Sequence, residues 1–154
     1  MSTLEGHTGS VNAIAVADGT DVIASGAADG TVRTWRINAQ NELKCELLET
    51  ITMTPRFFPL SLSLQGLEGD SDKPLVLAVA GTTTKVQIYV SETSIGKPEF
   101  KRQAVLAGHE AWVKALSFTQ DKQSNGDILL ASASQDDTSV FGDYVGAKQV
   151  PLLR

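Results

Sequence analysis

One module that occurs twice constrains the fold of this chain more than any other feature of its sequence. Residues 4–29 read LEGHTGSVNAIAVADGTDVIASGAAD, and residues 106–136 read LAGHEAWVKALSFTQDKQSNGDILLASASQD. Each copy contains a Gly-His pair, an apolar run, a polar loop, a second apolar run and an acidic turn, in that order. The first copy continues to an indole at Trp35. Internal repeats of this kind indicate an array of similar structural units that stabilise one another.

The apolar runs are short and bounded by turn residues, which predicts strands. Val11–Ala17 and Val22–Ala24 are almost continuously apolar, so we expect both to be covered on both faces. Leu43–Met53 contains helix-forming residues, but its position after three strands predicts a fourth, outer strand. Further strands are predicted at Thr31–Ile37, Phe57–Leu64, Leu75–Ala80, Val86–Val90, Phe100–Leu106, Trp112–Thr119 and Ile128–Ser132.

The predicted strands recur at a nearly fixed pitch. Ala24, Ala78 and Ala131 occupy the same place in successive cycles, 54 and 53 residues apart. Short strands in groups of four at such a pitch are typical of a β-propeller. The sequence therefore predicts an all-β fold, an incomplete propeller of about three blades. The expected divisions are blade one at 3–53, a degenerate blade two at 54–106, an incomplete blade three at 107–138 and a non-repeat tail at 139–154.

Composition narrows the partners and the compartment. The net charge of −5 and the scattered Lys and Arg residues argue against direct nucleic-acid binding. Cys45 is the single cysteine, so an internal disulfide cannot form, which fits a reducing compartment. The longest apolar run, Leu75–Ala80, is far shorter than the ~20 residues that span a bilayer, and no secretory signal is visible. We expect a soluble protein of the cytoplasm, and also of the nucleus, with no membrane or small-molecule partner.

Three polar residue types recur in pairs at equivalent positions: His7 and His109, Ser25 and Ser132, Asp29 and Asp136. Such residues can activate a serine nucleophile, so a serine hydrolase is one hypothesis. Against it, the set occurs twice, each serine lies inside an apolar strand, and no nucleophile elbow surrounds it. The alternative is a structural hydrogen-bonded chain in which the Trp35 indole, the serine, the histidine and the aspartate hold the inner strands together. We expect this structural role and no catalytic residue.

No pattern in the sequence predicts a metal or cofactor site. The two histidines lie 102 residues apart and the chain has one cysteine, which does not match the spacing of zinc ligands. Asp70 and Asp72 lack the ordered spacing and terminal glutamate of a calcium-binding loop. Trp112, beside the second Gly-His pair, is a candidate anchor for a protein partner. Aromatic side chains in such positions are more often buried between blades, which is what we expect here.

Residues Gly6 to Arg36 and Gly108 to Asp136 resemble WD40 repeats, with Trp35-Arg36 where that family often has Trp-Asp. More narrowly, the chain is similar to the WD-repeat subunits of the Elongator complex in the ordered segments FFPLSLSL, PLVLAVAGTTTKVQIYV, LAGHEAWVKALSF and GDILLASASQD. The resemblance implies a non-catalytic scaffold that organises the other Elongator subunits in the modification of wobble uridines of tRNA. A WD40 adaptor in signalling or ubiquitin ligation is the alternative, and a serine hydrolase is a remote one.

Departures from the repeat pattern carry further expectations. The middle cycle has Thr83 in place of the aspartate and ends in Tyr89, so we expect it to lack the hydrogen-bonded chain. In the third cycle, Gly142 falls where the tryptophan lies in the first. The resemblance implies a longer protein, so the chain is expected to be a fragment whose first and last blades have bare faces. Bare faces predict self-association or a need for a partner.

Overall fold

Strands make up all the regular structure of the described residues, which in this computed structural model are 3–38, 44–67, 72–120, 128–136 and 139–144. The strands are β1 (Val11–Val16), β2 (Val22–Ala27), β3 (Thr31–Asn38), β4 (Lys44–Thr52), β5 (Pro59–Gly66), β6 (Leu75–Gly81), β7 (Val86–Ser91), β8 (Lys101–Leu106), β9 (Val113–Gln120), β10 (Ile128–Ser134) and β11 (Ser139–Tyr144). This confirms the predicted all-β class, and β4 forms where helix propensity competed. Helices able to cross a membrane are absent from the described residues.

The strands form three sheets that follow the order of the chain. The first sheet is β1-β2-β3-β4, the second is β5-β6-β7-β8, and the third contains β9, β10 and β11. Neighbouring strands are antiparallel throughout, because the connections between consecutive strands are shorter than the dozen or so residues that a parallel crossover needs. Four-stranded antiparallel sheets of this kind are the blades of β-propellers, so the predicted architecture of an incomplete propeller is confirmed.

The sheets stack face to face and bury two apolar layers. The layer between the first and second sheets contains, among others, Val22, Ala24, Leu62, Leu77 and Tyr89. The layer between the second and third sheets contains, among others, Val76, Ala78, Ile88, Val113 and Leu130. The strands β2, β6 and β7 are buried along their whole length, because each is central in its sheet and apolar on both sides.

The inner strand of the first sheet departs from the prediction that both of its faces are covered. Val11, Ile14 and Val16 are 56%, 62% and 56% exposed, whereas Ala15 on the opposite side of the strand is buried. β1 is an edge strand of its sheet, so each of its faces is covered only where another sheet packs on it, whereas the central strand β2 of the same sheet is buried along its whole length. The described residues place a sheet on one side of β1 only. The prediction is therefore wrong for β1 and correct for β2.

The third sheet extends into the segment that was predicted as a non-repeat tail. The strand β11 pairs with β10 from Ala133↔Ser139 to Ile128↔Tyr144. Its sequence, SVFGDY, gives a weak strand signal because glycine and aspartate are depleted in strands. Backbone pairing with β10 overrides that weak local preference. The third sheet thus continues to Tyr144, and residues 145–154 of the predicted tail lie outside the described residues.

Candidate functional site

The first histidine cluster brings together four residues from separate elements. His7 lies before β1, Ser25 on β2, Asp29 in the turn after β2 and Trp35 on β3. The His7 ring places Nε2 2.8 Å from Ser25 Oγ and Nδ1 2.9 Å from Asp29 Oδ2. Trp35 Nε1 donates a hydrogen bond to Ser25 Oγ at 2.8 Å. The contacts run in the order that the sequence predicts, from indole to hydroxyl to imidazole to carboxylate.

Sheet register and backbone conformation position these side chains. Ile23 pairs with Trp35, two residues from Ser25 on the same strand. Side chains two residues apart on a strand point to the same face, so the indole is a diagonal neighbour of the serine. Gly6 has φ +140° and the equivalent Gly108 has φ +156°, which residues with a Cβ rarely adopt. The glycine of each Gly-His pair therefore lets the chain direct the histidine onto the sheet.

The carboxylate of Asp29 can only accept hydrogen bonds, so Nδ1 of His7 is the donor in their contact. Asp29 accepts the Nδ1–H of His7, and Nε2 of the same ring is hydrogen-bonded to the hydroxyl of Ser25. The oxygen of Ser25 in turn accepts the indole N–H of Trp35. Ser25 and Trp35 are each only 4% exposed. The result is a buried chain of hydrogen bonds in which each donor has a partner.

Asp29 also connects the histidine loop to the turn before β3. Its carboxylate accepts hydrogen bonds from the backbone N–H groups of Thr8 and Thr31, each at 3.0 Å, and from the Thr31 hydroxyl at 2.7 Å. Desolvation raises the pKa of Asp29, but the hydrogen bonds from Thr31, His7 and Thr8 together outweigh it, so the pKa lies well below its ordinary value. Asp29 is therefore a charged acceptor shared by the loop and the turn.

The second histidine cluster repeats this geometry in the third sheet. His109 places Nε2 2.9 Å from Ser132 Oγ and Nδ1 3.2 Å from Asp136 Oδ2. The backbone N–H of Glu110 donates to the same carboxylate oxygen at 2.6 Å, as Thr8 does to Asp29 in the first cluster. The recurrence of the residue types therefore corresponds to a recurrence of the contacts.

Strand pairing identifies what occupies the tryptophan position in the other sheets. The equivalent pairs are Ile23↔Trp35, Leu77↔Tyr89 and Leu130↔Gly142. Tyr89 and Gly142 therefore stand where the repeat alignment predicts them, and the second cluster has a glycine in place of the indole donor.

The second sheet contains a different polar chain. The Tyr89 hydroxyl donates to Gln87 Oε1 at 2.6 Å, and Gln87 Nε2 donates to the carbonyl of Thr54 at 3.2 Å. Burial raises the pKa of the Tyr89 phenol, and the nearby Arg102 opposes this shift. Arg102 also donates to the Thr54 carbonyl, at 2.6 Å. Sequence reasoning missed Gln87, for which a single polar residue in an apolar strand was the only signal.

Two serines on β5 connect the second sheet to the third. The backbone N–H of Leu116 donates to Ser61 Oγ at 3.0 Å, and that of Phe118 donates to Ser63 Oγ at 2.9 Å. The inner strand of a blade has one edge without a strand partner, and these hydroxyls satisfy N–H groups at that edge. The alternation of leucine and serine in β5 predicted a strand but gave no sign of this role.

Arg36 stands where many WD40 repeats have the aspartate of Trp-Asp, and here it joins two sheets. Its Nε lies 3.0 Å from Asp21 Oδ2, and its Nη2 donates to the carbonyl of Ser94 at 2.8 Å. Its Nη1 donates to the carbonyl of Gly96. The guanidinium thus connects the end of β3 to the loop between β7 and β8.

Trp112 is 49% exposed, so the expectation that it is buried between blades is wrong. Trp112 immediately precedes β9, and the next residue, Val113, is fully buried. Because successive side chains alternate between the two sides of an extended chain, the burial of Val113 directs the indole outward.

The first cluster has no accessible serine nucleophile. Ser25 is buried, and its oxygen already contacts ring nitrogens of His7 and Trp35, so a substrate carbonyl could reach it only by displacing these rings. Among the described residues, no group of three or more His, Cys, Asp or Glu side chains could hold a metal ion. The first cluster therefore satisfies buried polar groups between strands, and the second repeats its histidine contacts.

Comparison with known proteins places these clusters in a family. The family model described as WD domain, G-beta repeat matches residues 1–36 and 100–140, which contain both histidine clusters. The chain belongs to the WD40 repeat family. In WD40 terms, the second sheet is the divergent blade, because the family model leaves residues 37–99 unmatched.

The curated relatives of this WD40 chain include proteins named Elongator complex protein 2. The protein of Saccharomyces cerevisiae is 41% identical over 119 residues, which cover 75% of this chain and 14% of the yeast protein. The proteins of Dictyostelium discoideum and Drosophila melanogaster are each 34% identical, covering 88% and 87% of this chain and 17% of their own lengths. The predicted resemblance is confirmed, and the chain spans 14% to 17% of the length of these relatives.

Proposed function

We propose that this chain is a non-catalytic scaffold element of an Elongator complex, where it organises other protein subunits that modify wobble uridines of tRNA. The observation that carries the proposal is the extent of the similarity. The general WD40 model matches two separate segments, whereas proteins named Elongator complex protein 2 align with 75% to 88% of the chain. Their similarity therefore includes the divergent second sheet, which the general repeat does not explain.

The burial of Ser25 supports the non-catalytic part of the proposal. Ser25 is 4% exposed and its oxygen accepts the Trp35 N–H. A serine nucleophile needs a substrate carbonyl within reach and donors for the developing oxyanion. At Ser25, ring nitrogens of His7 and Trp35 occupy the space around the hydroxyl that such a substrate would need.

The charge and surface of the chain support protein partners over nucleic acid. The net charge of −5 is unfavourable for binding phosphates. Large apolar side chains, including those of Phe58 and Trp112, are 41% and 49% exposed, and exposed aromatic side chains are frequent anchors in protein interfaces. The proposed compartment is the cytoplasm, with the nucleus as a second one, which the single Cys45 supports.

The modification state of tRNA tests the Elongator assignment. We expect cells that lack the protein to lose wobble-uridine modification, measured by mass spectrometry of tRNA nucleosides. Re-expression should restore it, and a tagged copy should co-purify with the catalytic acetyltransferase-type subunit. Unchanged modification, together with recovery of signalling or ubiquitin-ligase components in the tagged sample, would instead favour a WD40 adaptor of another class.

A fluorophosphonate probe tests the remote hydrolase hypothesis. We expect no labelling of the folded chain, because Ser25 and Ser132 are held within hydrogen-bonded clusters. A known serine hydrolase serves as the positive control. Labelling that disappears in Ser25→Ala or Ser132→Ala would show a reactive serine and overturn the non-catalytic proposal.

A further inference from the structure

A cavity of about 550 Å³ lies between the first and second sheets, at the end where β3 and β7 finish. Its walls come from the connection between β1 and β2, the end of β3, the residue Lys73 before β6 and the loop between β7 and β8. Sites that bind ligand groups have volumes of about 300–1,000 Å³. Both sheets that form the cavity have all four strands, so it belongs to the contact between two complete blades.

Arg36 presents a fixed guanidinium to this cavity. Its Nε lies 3.0 Å from Asp21 Oδ2, and its two terminal nitrogens donate to the carbonyls of Ser94 and Gly96. Each terminal nitrogen of an arginine carries two N–H groups, so each keeps one for a further acceptor. A guanidinium that is already held in place loses little conformational entropy when it binds an anion.

Lys73 supplies a second positive charge to the same cavity. Its backbone N–H donates to Ser94 Oγ at 3.2 Å, which holds the residue against the loop between β7 and β8. Across the part of the chain that the structure describes, no carboxylate lies within ion-pair distance of the Lys73 ammonium. The charged lining residues are Arg36 and Lys73 against Asp21, which gives a net charge of +1 in a chain of net charge −5.

Asp72 orders the loop that forms one wall of the cavity. Its carboxylate accepts the hydroxyl of Thr93 at 2.7 Å and the backbone N–H groups of Ser94 and Ile95 at 2.8 and 3.3 Å. These donors engage the charge of Asp72 within the loop, and Asp72 does not line the cavity. Ile95 does line it and is 55% exposed. The cavity therefore combines two cationic side chains with an exposed apolar one.

We propose that this cavity binds a carboxylate side chain of a partner protein, an aspartate or glutamate with an apolar residue next to it. The carboxylate pairs with the Lys73 ammonium and accepts a remaining N–H of Arg36, because charge-assisted hydrogen bonds of this type are among the strongest in proteins. The apolar neighbour packs on Ile95. This inference rests on the scaffold function proposed above and specifies the chemistry of one partner contact.

An acidic protein segment fits this cavity better than a nucleic acid or a free phosphate ion. A nucleic acid carries a charge at every phosphate, and the net charge of −5 repels such a polymer outside the cavity. A carboxylate brings one negative charge, which matches the net charge of the lining residues. A protein segment also offers apolar side chains to Ile95, which a phosphate ion does not.

Photo-crosslinking from position 95 identifies the partner segment. The photoreactive residue p-benzoylphenylalanine replaces Ile95 in the protein expressed in cells, and the cross-linked peptide is sequenced by mass spectrometry. We expect a protein segment with an aspartate or glutamate close to the cross-linked residue. The same photoreactive residue in place of Val105, at an exposed position on β8, is the control and should not capture that segment. Cross-links only to nucleic acid, only to segments without an acidic residue, or to nothing would overturn the proposal.

A synthetic peptide with the captured sequence tests the role of charge. Its binding to the whole 154-residue chain is measured by fluorescence anisotropy, and the folding of each variant is checked by far-ultraviolet circular dichroism. Lys73→Gln should weaken binding about tenfold, whereas Lys114→Gln, at an exposed lysine on β9, should leave it unchanged. Lys73→Glu should regain binding to a peptide whose acidic residue is replaced by lysine. Equal binding by the parent chain and Lys73→Gln would overturn the proposal.

Inorganic phosphate distinguishes a general anion site from a site for an acidic protein segment. We expect the peptide to stay bound when phosphate is added at the concentration of the peptide, and displacement of the peptide there would overturn the proposal. The site and the Elongator assignment fail separately. If the tRNA measurement fails while Lys73→Gln weakens peptide binding, the cavity serves a WD40 adaptor of another class. If the tRNA measurement succeeds while Lys73→Gln has no effect, the cavity proposal alone is overturned.

Discussion

Trp35 and His7 meet at one buried atom, Ser25 Oγ, each with a ring nitrogen 2.8 Å away. The oxygen accepts the indole N–H and is also hydrogen-bonded to the imidazole, so the three side chains depend on one another. A typical hydrogen bond contributes ~0.5–1.5 kcal/mol to stability, but a buried partner left without one costs ~1–3 kcal/mol. The loss of a single member should therefore exceed the value of its own bond.

Trp35→Phe should destabilise the chain by about 1–3 kcal/mol, because the phenyl ring fills much of the indole space but has no N–H to donate. The free energy of unfolding is measured by urea denaturation followed by circular dichroism. The matched control is Trp112→Phe at an exposed position, where we expect a change within ~0.5 kcal/mol. Equal effects of the two substitutions would contradict a special role for the indole N–H.

Tyr89→Phe should also destabilise the chain, by about 1–3 kcal/mol, because it leaves the buried oxygen of Gln87 without its donor. The double variant with Gln87→Leu separates this contact from general packing. If the hydroxyl acts through Gln87, the cost of the double variant should be less than the sum of the two single costs. Additive costs would indicate that the two side chains contribute independently.

The positions of most strands could be predicted because the signals are local. β2 and β6 are short apolar runs bounded by turn residues, and both are wholly buried. The first cluster was also predictable. Side chains two residues apart on a strand share a face, so Ser25 lies on the same face as Ile23, the residue that pairs with Trp35. In β4, sheet context overrode helix propensity.

The features that could not be predicted depend on neighbours that the local sequence does not specify. Val11–Ala17 is as apolar as a covered strand. Ile14 is nevertheless exposed, because the described residues place no sheet over its side of the strand. Gln87 has partners at Tyr89 and at Thr54, the latter 33 residues away. β11 forms by backbone pairing with β10. The glycine and aspartate in its sequence give a weak strand signal, so the local sequence does not predict it.

Ser63→Ala should weaken the contact between the second and third sheets. The backbone N–H of Phe118 loses its acceptor at the interface, and we expect a cost of about 1 kcal/mol. Ser10→Ala at an exposed position is the matched control, with an expected change within ~0.5 kcal/mol. Hydrogen exchange of the Phe118 amide gives a second measurement, in which faster exchange in Ser63→Ala is expected and unchanged exchange would contradict the contact.

Asp29 should make the stability of the chain depend on acid pH. Its folded pKa lies below the ordinary value of 3.8, so between the two values the unfolded chain binds more protons than the folded chain. The stability that Asp29 contributes is therefore complete above its unfolded pKa and is lost as the pH falls through and below about 4. Urea denaturation from about pH 6 to about pH 3 should show this decline.

Asp29→Asn isolates this contribution, because the amide keeps the shape of the side chain but does not titrate. We expect the variant to be less stable near neutral pH, since the hydrogen bonds from Thr31 and Thr8 lose their charged acceptor. Its decline below about pH 4 should be shallower than that of the parent chain. Asp72 also has a lowered pKa, caused first by the hydroxyl of Thr93, but its carboxylate is solvent-exposed. Asp72→Asn is therefore the control, and an equal flattening of the pH dependence in both variants would show that burial within the histidine cluster gives Asp29 no special weight.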